Sequence, residues 1–306
     1  MQKKYLKILN IVQEEIAQVL VQMTAGIEVQ EPLKSKLFAL LNAPSKHIRP
    51  LVSLLYLKAI GSQINESQIL YQSAIELVHN ASLIHDDVID ESIVRRNVST
   101  LNSEFGNKLA VVSGDFLLSI ALDKVLKIGE ISLVKMFSET LGVMSEGEIN
   151  QYFSKFKIPS MDEYIKKSAQ KTAKLFETAL CGSLLIANKF SPRPMGEGVV
   201  VGAKRLTTAG EGLINQGLEF AHNFGIAFQI RDDLINCKTT NSDIKDGVYT
   251  APVIFSGGTQ ITPDAIEKTR GLLNNYIDNA LNCLQDIEEN EYKLALVNLL
   301  ELMRDE

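Results

Sequence analysis

The sequence predicts an all-α fold, and three observations support this prediction. Apolar residues recur at steps of three and four along most of the 306 residues, which is the spacing of amphipathic helices. No segment shows the alternation of apolar and polar residues that indicates a half-buried strand. Only eight prolines occur, and no long polar linker divides the chain. We therefore expect a single all-α domain that covers residues 1–306.

The helices can be assigned in order along the chain. The first has an apolar stripe formed by Tyr5, Ile8, Leu9, Val12, Ile16, Leu20 and Met23. The same spacing predicts further helices over residues 31–42, 47–60, 66–90, 107–128, 131–155, 161–188, 206–236, 263–288 and 291–304. Residues 191–212 are rich in glycine and small residues and predict a loop. No strand precedes these glycines, which argues against a nucleotide-binding loop.

Composition excludes several classes of protein. The formal net charge is -6, so nucleic-acid phosphates would be repelled and we expect no nucleic-acid partner. Cys181, Cys237 and Cys283 are too far apart for a disulfide framework or a CxxC metal site, which favours a reducing, cytoplasmic location. No run of 18 apolar residues lacks a charge, so we expect no transmembrane segment. Any anionic ligand must therefore be bound by a local group of cations.

A concentrated charge cluster occupies the segment LIHDDVIDESIVRRN, residues 83–97. If residues 66–90 form a helix, His79, Asp86 and Asp90 project from nearly one face, and Asp87 lies beside them. Such carboxylates repel one another by about 0.2–0.5 kcal/mol per exposed pair, which favours a bound cation. Mg²⁺ suits the cluster because it needs only one or two carboxylates and accepts water and phosphate oxygens as its other ligands. The alternative is a solvated acidic helix end.

A second acidic cluster strengthens the metal hypothesis. FQIRDDLIN, residues 228–236, places Asp232 and Asp233 after an apolar helical stretch, with Asn236 one turn later. Two facing clusters could hold several magnesium ions and, through them, a diphosphate. Arginine suits bidentate contact with phosphate, and lysine adds a compact charge. Cations for such contacts are available at Lys46, Arg49, Arg95 and Arg96.

Together these segments resemble the trans-polyprenyl diphosphate synthases, the head-to-tail isoprenoid chain elongators. DDVIDESIVRR is similar to the first aspartate-rich motif of that family, and FQIRDD is similar to the start of the second. KHIRP, residues 46–50, matches a KxxRP element, and KTAKLF, residues 171–176, matches a KT element. The resemblance extends from about residue 40 to residue 255. It implies a single-domain bundle of mostly antiparallel helices around a deep apolar cavity, normally a homodimer.

The resemblance also implies roles for individual residues. Several Mg²⁺ ions, bound together with substrate diphosphate, would be held by Asp86, Asp87, Asp90, Asp232 and Asp233, with Asn236 as a weaker ligand. The allylic diphosphate would contact Arg95 and Lys171. Isopentenyl diphosphate would be bound by Lys46, Arg49, His79 and Arg96. The catalytic group would be Lys171, Thr172 and Gln229, of which the last two face the reacting carbons.

The implied reaction joins isopentenyl diphosphate head-to-tail to an allylic prenyl diphosphate. Three departures from the family pattern leave alternatives open: Asn236 replaces an aspartate, Val248 a lysine and Asn97 a glycine. Lys238 or Lys245 could substitute for the missing lysine. The alternatives are a geranylgeranyl-type short-chain synthase, a non-catalytic regulatory subunit of a heteromeric synthase and, with less support, a class I terpene cyclase.

Product length should depend on residues before the first aspartate. Ala81 and Ser82 stand five and four positions before Asp86, where short-chain members of the family tend to have a bulky aromatic residue. One helical turn is about 5.4 Å, near the length of one extended isoprene unit, so the absence of a large side chain permits further additions. We therefore predict a medium- or long-chain product. Val78 and Phe116 are the candidates for the deeper wall.

Overall fold

A computed structural model describes residues 2–190, 208–239 and 242–304 and confirms the all-α prediction. A π-helical turn, Ala169–Ala173, joins two of the helices, and β1 (Val94–Arg95) and β2 (Val98–Ser99) form a short antiparallel pair. The helices are α1 (Gln2–Asn10), α2 (Gln13–Thr24), α3 (Leu33–Leu41), α4 (Ile48–Ala59), α5 (Glu66–Ile89), α6 (Leu101–Phe105), α7 (Asn107–Lys127), α8 (Ile131–Ser154), α9 (Met161–Ser168), α10 (Lys174–Phe190), α11 (Thr208–Thr239), α12 (Ser242–Lys245), α13 (Ala251–Ser256), α14 (Pro263–Asn282) and α15 (Glu291–Arg304).

The predicted boundaries were wrong at four places. The first predicted helix is two helices, because the backbone turns at Ile11 and Val12; the buried Val12 side chain keeps the apolar stripe continuous across the break. The predicted 161–188 helix contains the π-helical turn, and α14 ends at Asn282 rather than residue 288. The predicted loop and the predicted 206–236 helix overlap; residues 208–212 belong to the helix, α11, and the rest of the loop, 191–207, lies outside the described residues.

Helix α5 lies at the centre of the fold and packs against α2, α7 and α10. It begins with a capping box: the Asn65 side chain accepts a hydrogen bond from Gln68 N at 3.0 Å, and the Gln68 side chain accepts one from Asn65 N at 2.9 Å. Gln72 Nε2 donates to Ala179 O of α10 at 2.9 Å. These contacts fix α5 in the core, and its C-terminal end carries the first acidic cluster.

Helix α11 packs very closely on the π-helical turn. A Cβ atom added at Gly225 would lie 2.5 Å from Ala173 Cα, so only glycine permits this approach. Beside this contact, the rings of Phe176 and Phe224 pack with their centroids 5.3 Å apart. The close packing positions the second acidic cluster of α11 beside the turn that carries Lys171 and Thr172.

The short strand pair returns the chain to the end of α5. Its turn residues Arg96 and Asn97 have φ angles of 52° and 63°, a left-handed conformation that asparagine tolerates better than most residues. Asn97 can therefore stand where the family pattern has glycine. Asn102 Nδ2 donates to the carbonyls of Asp87 and Ser92, which ties this segment to α5. Within the described residues, no helix is long and apolar enough to cross a membrane.

Candidate active site

The three aspartates of the first acidic cluster, at the end of α5, do not all point the same way. Asp86 and Asp90 are one helical turn apart. Asp86 lines an apolar groove that runs along α5, and Asp90 lines a different cavity, next to α11. Asp87 is buried instead, and its Oδ1 accepts a hydrogen bond from Arg95 Nε at 2.7 Å. Asp86 and Asp90 therefore face open space, whereas Asp87 holds Arg95 in place.

The second acidic cluster is oriented by a chain of hydrogen bonds. Thr172 Oγ1 donates to Gln229 Oε1 at 2.5 Å, and Gln229 Nε2 donates to Asp233 Oδ1 at 2.8 Å. The buried hydroxyl of Tyr164 donates to the other oxygen, Asp233 Oδ2, at 2.6 Å. Both oxygens of Asp233 are thus fixed, whereas the side chain of the neighbouring Asp232 is 48% exposed.

The two clusters meet at one cavity of about 220 Å³. It brings the C-terminal end of α5 into the same space as α9, the π-helical turn and α11. The charged residues that line it are Asp90, Lys167, Lys171, Asp233, Asp243 and Asp246. A diphosphate with divalent cations is the kind of ligand that matches this mixture of carboxylates and ammonium groups.

Asn236 extends the second cluster toward α12. Its Nδ2 donates to Asp243 Oδ1 at 2.9 Å, so the asparagine that replaces an aspartate is paired with another carboxylate of the cavity. Asparagine at position 236 can therefore form a hydrogen bond with Asp243, whereas the negative charge of an aspartate there would repel it. Asp243 thus supplies a carboxylate on the side of the cavity where Asn236 has replaced one.

The carboxylates of both clusters show raised pKa values. Burial raises the pKa of Asp86 to about 6; Glu148 and Asp90 act in the same direction, and Lys171 opposes them. Burial raises the pKa of Asp233 to about 7, against the hydrogen bonds from Tyr164 and Gln229. A divalent cation would stabilise the charged forms of these groups.

The donor set fits a cation that takes few protein ligands. Among the described residues, no three acidic, histidine or cysteine side chains converge closely enough to hold an ion by themselves. Mg²⁺ commonly takes one or two carboxylates and completes its coordination with water and substrate phosphate. Asp86, Asp90 and Asp233 are the carboxylates placed to contribute in this way.

A separate cationic group lies between α4 and α5. Arg49 is buried, its guanidinium carbon lies 4.9 Å from the centroid of the Phe176 ring, and burial lowers its pKa to about 10. Burial lowers the pKa of His79 well below the ordinary histidine value, and the charges of Arg49 and Arg96 act in the same direction. Burial also lowers the pKa of Arg96, and the negative charge of the buried Glu76 opposes the lowering of the pKa of both arginines.

Two buried atoms in this region, Arg49 Nε and Glu76 Oε1, have no hydrogen-bond partner within the described part of the chain. The other Glu76 oxygen, Oε2, pairs with His47 Nδ1 at 2.8 Å. Lys46 is exposed in the turn before α4, and its carbonyl accepts a hydrogen bond from Tyr5. An anion that entered beside Arg49 would supply the missing acceptor and would offset the excess positive charge.

An apolar groove of about 430 Å³ runs along α5 from Asp86 and Lys171 to Val78. Ser82 lies between these ends, four residues from each of Asp86 and Val78 and therefore on the same helix face. Ala81 is fully buried in the core. Of the residues predicted for the wall, Val78 and Ser82 line this groove, and Ala81 and Phe116 do not. Its opposite walls include Val111, Leu118, Leu141 and Met144 of α7 and α8.

Several residues of the site were missed in the sequence. Lys167 is four positions before Lys171, a spacing that could have placed both on one helix face. Asp243 and Asp246 occur in SDIKDGVYTAP, the segment in which the sequence drew attention to Val248 and Lys245 but not to the two aspartates. Glu148 of α8, which forms an ion pair with Lys171 of the π-helical turn, carried no sequence signal.

The chain belongs to the polyprenyl synthetase family, because the family model described as Polyprenyl synthetase matches residues 30–290. A prenyl transferase from Cyanidium caldarium is 31% identical, with 96% of each chain covered. A decaprenyl-diphosphate synthase from Dictyostelium discoideum is 33% identical over 83% of this chain and 58% of its own length. The predicted resemblance is therefore confirmed, and the chain is a prenyltransferase.

Solved structures agree with the fold. A polyprenyl synthase from Caulobacter crescentus CB15, solved with calcium and isoprenyl diphosphate, superposes with a TM-score of 0.83. The two chains are 21% identical, and the superposition covers 99% of this chain and 98% of the other. The isoprenoid synthase-like architecture predicted from the resemblance is thus confirmed.

Proposed function

We propose that this protein joins isopentenyl diphosphate head-to-tail to an allylic prenyl diphosphate, with Mg²⁺, and makes a medium- or long-chain all-trans polyprenyl diphosphate. One observation supports this most: both acidic clusters line a cavity that shares Lys171 with an apolar groove. A diphosphate in the cavity would leave its prenyl chain at the entrance to the groove. The decaprenyl product of the Dictyostelium relative supports the assignment of a long product.

In this proposal the carboxylates hold magnesium and the basic residues hold the substrates. Asp86, Asp90 and Asp233, with Asp87, Asp232 and the weaker ligand Asn236 completing the clusters, would bind Mg²⁺, which supplies charge stabilisation to the departing diphosphate. Lys171 and Arg95 would contact the same diphosphate. Isopentenyl diphosphate would be bound by Lys46, Arg49, His79 and Arg96.

The reaction breaks the allylic carbon–oxygen bond and forms a carbon–carbon bond. The apolar walls of the groove keep water from the allylic cation. Thr172 and Gln229, already joined by a hydrogen bond, would face the reacting carbons. The alkene of isopentenyl diphosphate attacks the cation, and a proton passes to the released diphosphate, so the product is five carbons longer. No separate general base is required.

The groove predicts where elongation can be stopped. From Asp86 to Val78 the helix rises about 12 Å, and Ser82 lies halfway, about one isoprene unit from the acidic cluster. We expect Ser82→Phe to shift the products to chains at least about two isoprene units shorter, because the ring fills the groove. Chromatographic sizing of radiolabelled products measures the shift. Ser138→Phe, at an exposed position of α8, is the matched control; an unchanged product ladder in Ser82→Phe would contradict this role.

We also propose that the protein forms a homodimer through α7. The large exposed apolar side chains of α7 that do not line the groove are 36–60% exposed and project within an arc of about 140° around the helix, so they form one face. They are Leu109, Val112, Leu122 and Leu126. A second copy would bury this face in a two-fold interface.

The α7 interface has a direct test. Val112→Glu combined with Leu122→Glu should yield a monomer, because two charges would be buried without partners. Light scattering after size-exclusion chromatography measures the mass. Leu294→Glu, at an exposed position of α15, should leave the dimer intact. A wild-type monomer, or a double variant that stays dimeric, would exclude this interface.

The proposed activity is tested by incubating the purified protein with labelled isopentenyl diphosphate, Mg²⁺ and each of several allylic starters. We expect polyprenyl diphosphates longer than the geranylgeranyl product. A geranylgeranyl product alone would indicate the short-chain type, and hydrocarbon formed without isopentenyl diphosphate would indicate a cyclase. No activity alone, with altered products in a second prenyl synthase, would indicate a regulatory subunit.

A further inference from the structure

We propose that Lys167 binds the diphosphate of the allylic substrate and supplies the positive charge that Val248 lacks. The inference rests on the proposed function and identifies one more residue that contacts substrate in the same cavity. Position 167 lies outside the family elements that the sequence shows, which end before it or begin at or after Lys171.

Lys167 lies at the cavity where the two acidic clusters meet. It lies in the last turn of α9 and lines the cavity together with Lys171, Asp90 and Asp233. Its Nζ is 5.8 Å from the centroid of the Tyr164 ring, whose hydroxyl donates to Asp233 Oδ2. The ammonium group is therefore beside the second acidic cluster, where the oxygens of a metal-bound diphosphate would be.

The basic residues around the cavity differ in whether they form ion pairs. In the part of the chain that the structure describes, Lys171 pairs with Glu148 and Arg95 pairs with Asp87, but Lys167 forms no ion pair. Burial lowers the pKa of Lys167, and the carboxylates of Asp233 and Asp243 oppose this effect. A partly buried ammonium group without a direct ion pair can donate to an anion that enters the cavity without breaking an existing pair.

Val248 lines the same cavity as Lys167. Both residues also line an adjoining cavity of about 450 Å³, so they lie together at the boundary between the two spaces. Lys238 and Lys245, the substitutes suggested by the sequence, are exposed and line neither cavity. Among the described residues, Lys167 is thus the lysine that lines both cavities together with Val248.

Lys167→Met tests the proposal by removing the charge and keeping most of the side-chain length. We expect the Kd for inorganic diphosphate with Mg²⁺, measured by calorimetry, to rise about tenfold, since one charge-assisted hydrogen bond is lost. The KM for the allylic substrate should rise by a similar factor, while the KM for isopentenyl diphosphate stays unchanged. Lys135→Met, at an exposed position of α8 that lines neither cavity, should bind diphosphate as the wild type does.

A second substitution separates loss of charge from loss of fold. Lys167→Met combined with Val248→Lys should restore the Kd to within about threefold of the wild-type value, because the charge returns to the same cavity. Unchanged diphosphate binding in Lys167→Met, or no recovery in the double variant, would overturn the role of Lys167. Absence of diphosphate binding by the wild-type protein would overturn the proposed function itself.

Discussion

Replacing Asp86 by asparagine is expected to lower kcat about a thousandfold, because the variant loses a negative charge that holds the cation at the departing diphosphate. Asp86 lines the groove, and burial raises its pKa to about 6. The charges of Lys171, Glu148 and Asp90 also act on this carboxylate. Asparagine has nearly the same shape, so packing at the end of α5 should be unaffected. Steady-state kinetics at saturating Mg²⁺ measures the effect.

The control for Asp86→Asn is Asp123→Asn. Asp123 is an aspartate on α7 that pairs with Lys127 at 2.6 Å, and both side chains are more than half exposed. The control variant should keep the wild-type kcat and the wild-type circular dichroism spectrum. A kcat for Asp86→Asn within about tenfold of the wild type would remove Asp86 from the metal site, since loss of a group that stabilises transition-state charge costs more.

Replacing Arg49 by glutamine is expected to raise the KM for isopentenyl diphosphate about a hundredfold, with little change in the KM for the allylic substrate. Arg49 is buried against Phe176 and its Nε lacks a partner among the described residues, so it is positioned to donate to an anion. Charge-assisted bidentate bonds to phosphate are among the strongest polar contacts. Measuring the two KM values separately tests which diphosphate Arg49 binds.

A second measurement on Arg49→Gln does not depend on activity. The positive charge of Arg49 adds to burial in lowering the pKa of His79, so the pKa of His79 should rise in the variant. Nuclear magnetic resonance of the His79 ring measures it. Arg270→Gln, at a largely exposed position of α14, should alter neither KM nor this pKa. Equal increases of both KM values in Arg49→Gln would indicate a general loss of structure instead.

Helix positions were predictable because apolar spacing is a local property. The predicted 47–60, 107–128 and 131–155 helices agree within one residue at each end with α4, α7 and α8. The strand pair and α6, α12 and α13 are too short to show a period. The break between α1 and α2 was hidden because Val12 is buried and continues the stripe.

The site was predictable where helix geometry alone determines it. The four-residue step from Asp86 to Asp90 places both on one face, whereas Ala81, five residues before Asp86, points about 140° away into the core. The pairing of Asp87 with Arg95 depends on the strand pair that returns the chain to α5. The burial of Lys167 depends on packing around α9, because a lysine in an amphipathic helix ordinarily faces solvent.

Metal-dependent binding of an allylic diphosphate tests most directly whether the two acidic clusters act together. A farnesyl thiodiphosphate, whose carbon–sulfur bond ionises poorly, should be titrated into the protein by calorimetry with Mg²⁺ and again with EDTA. Binding should weaken at least about a hundredfold without the cation, because carboxylates would then face the diphosphate with like charge. Equal affinity with Mg²⁺ and with EDTA would contradict a diphosphate site built on magnesium between α5 and α11.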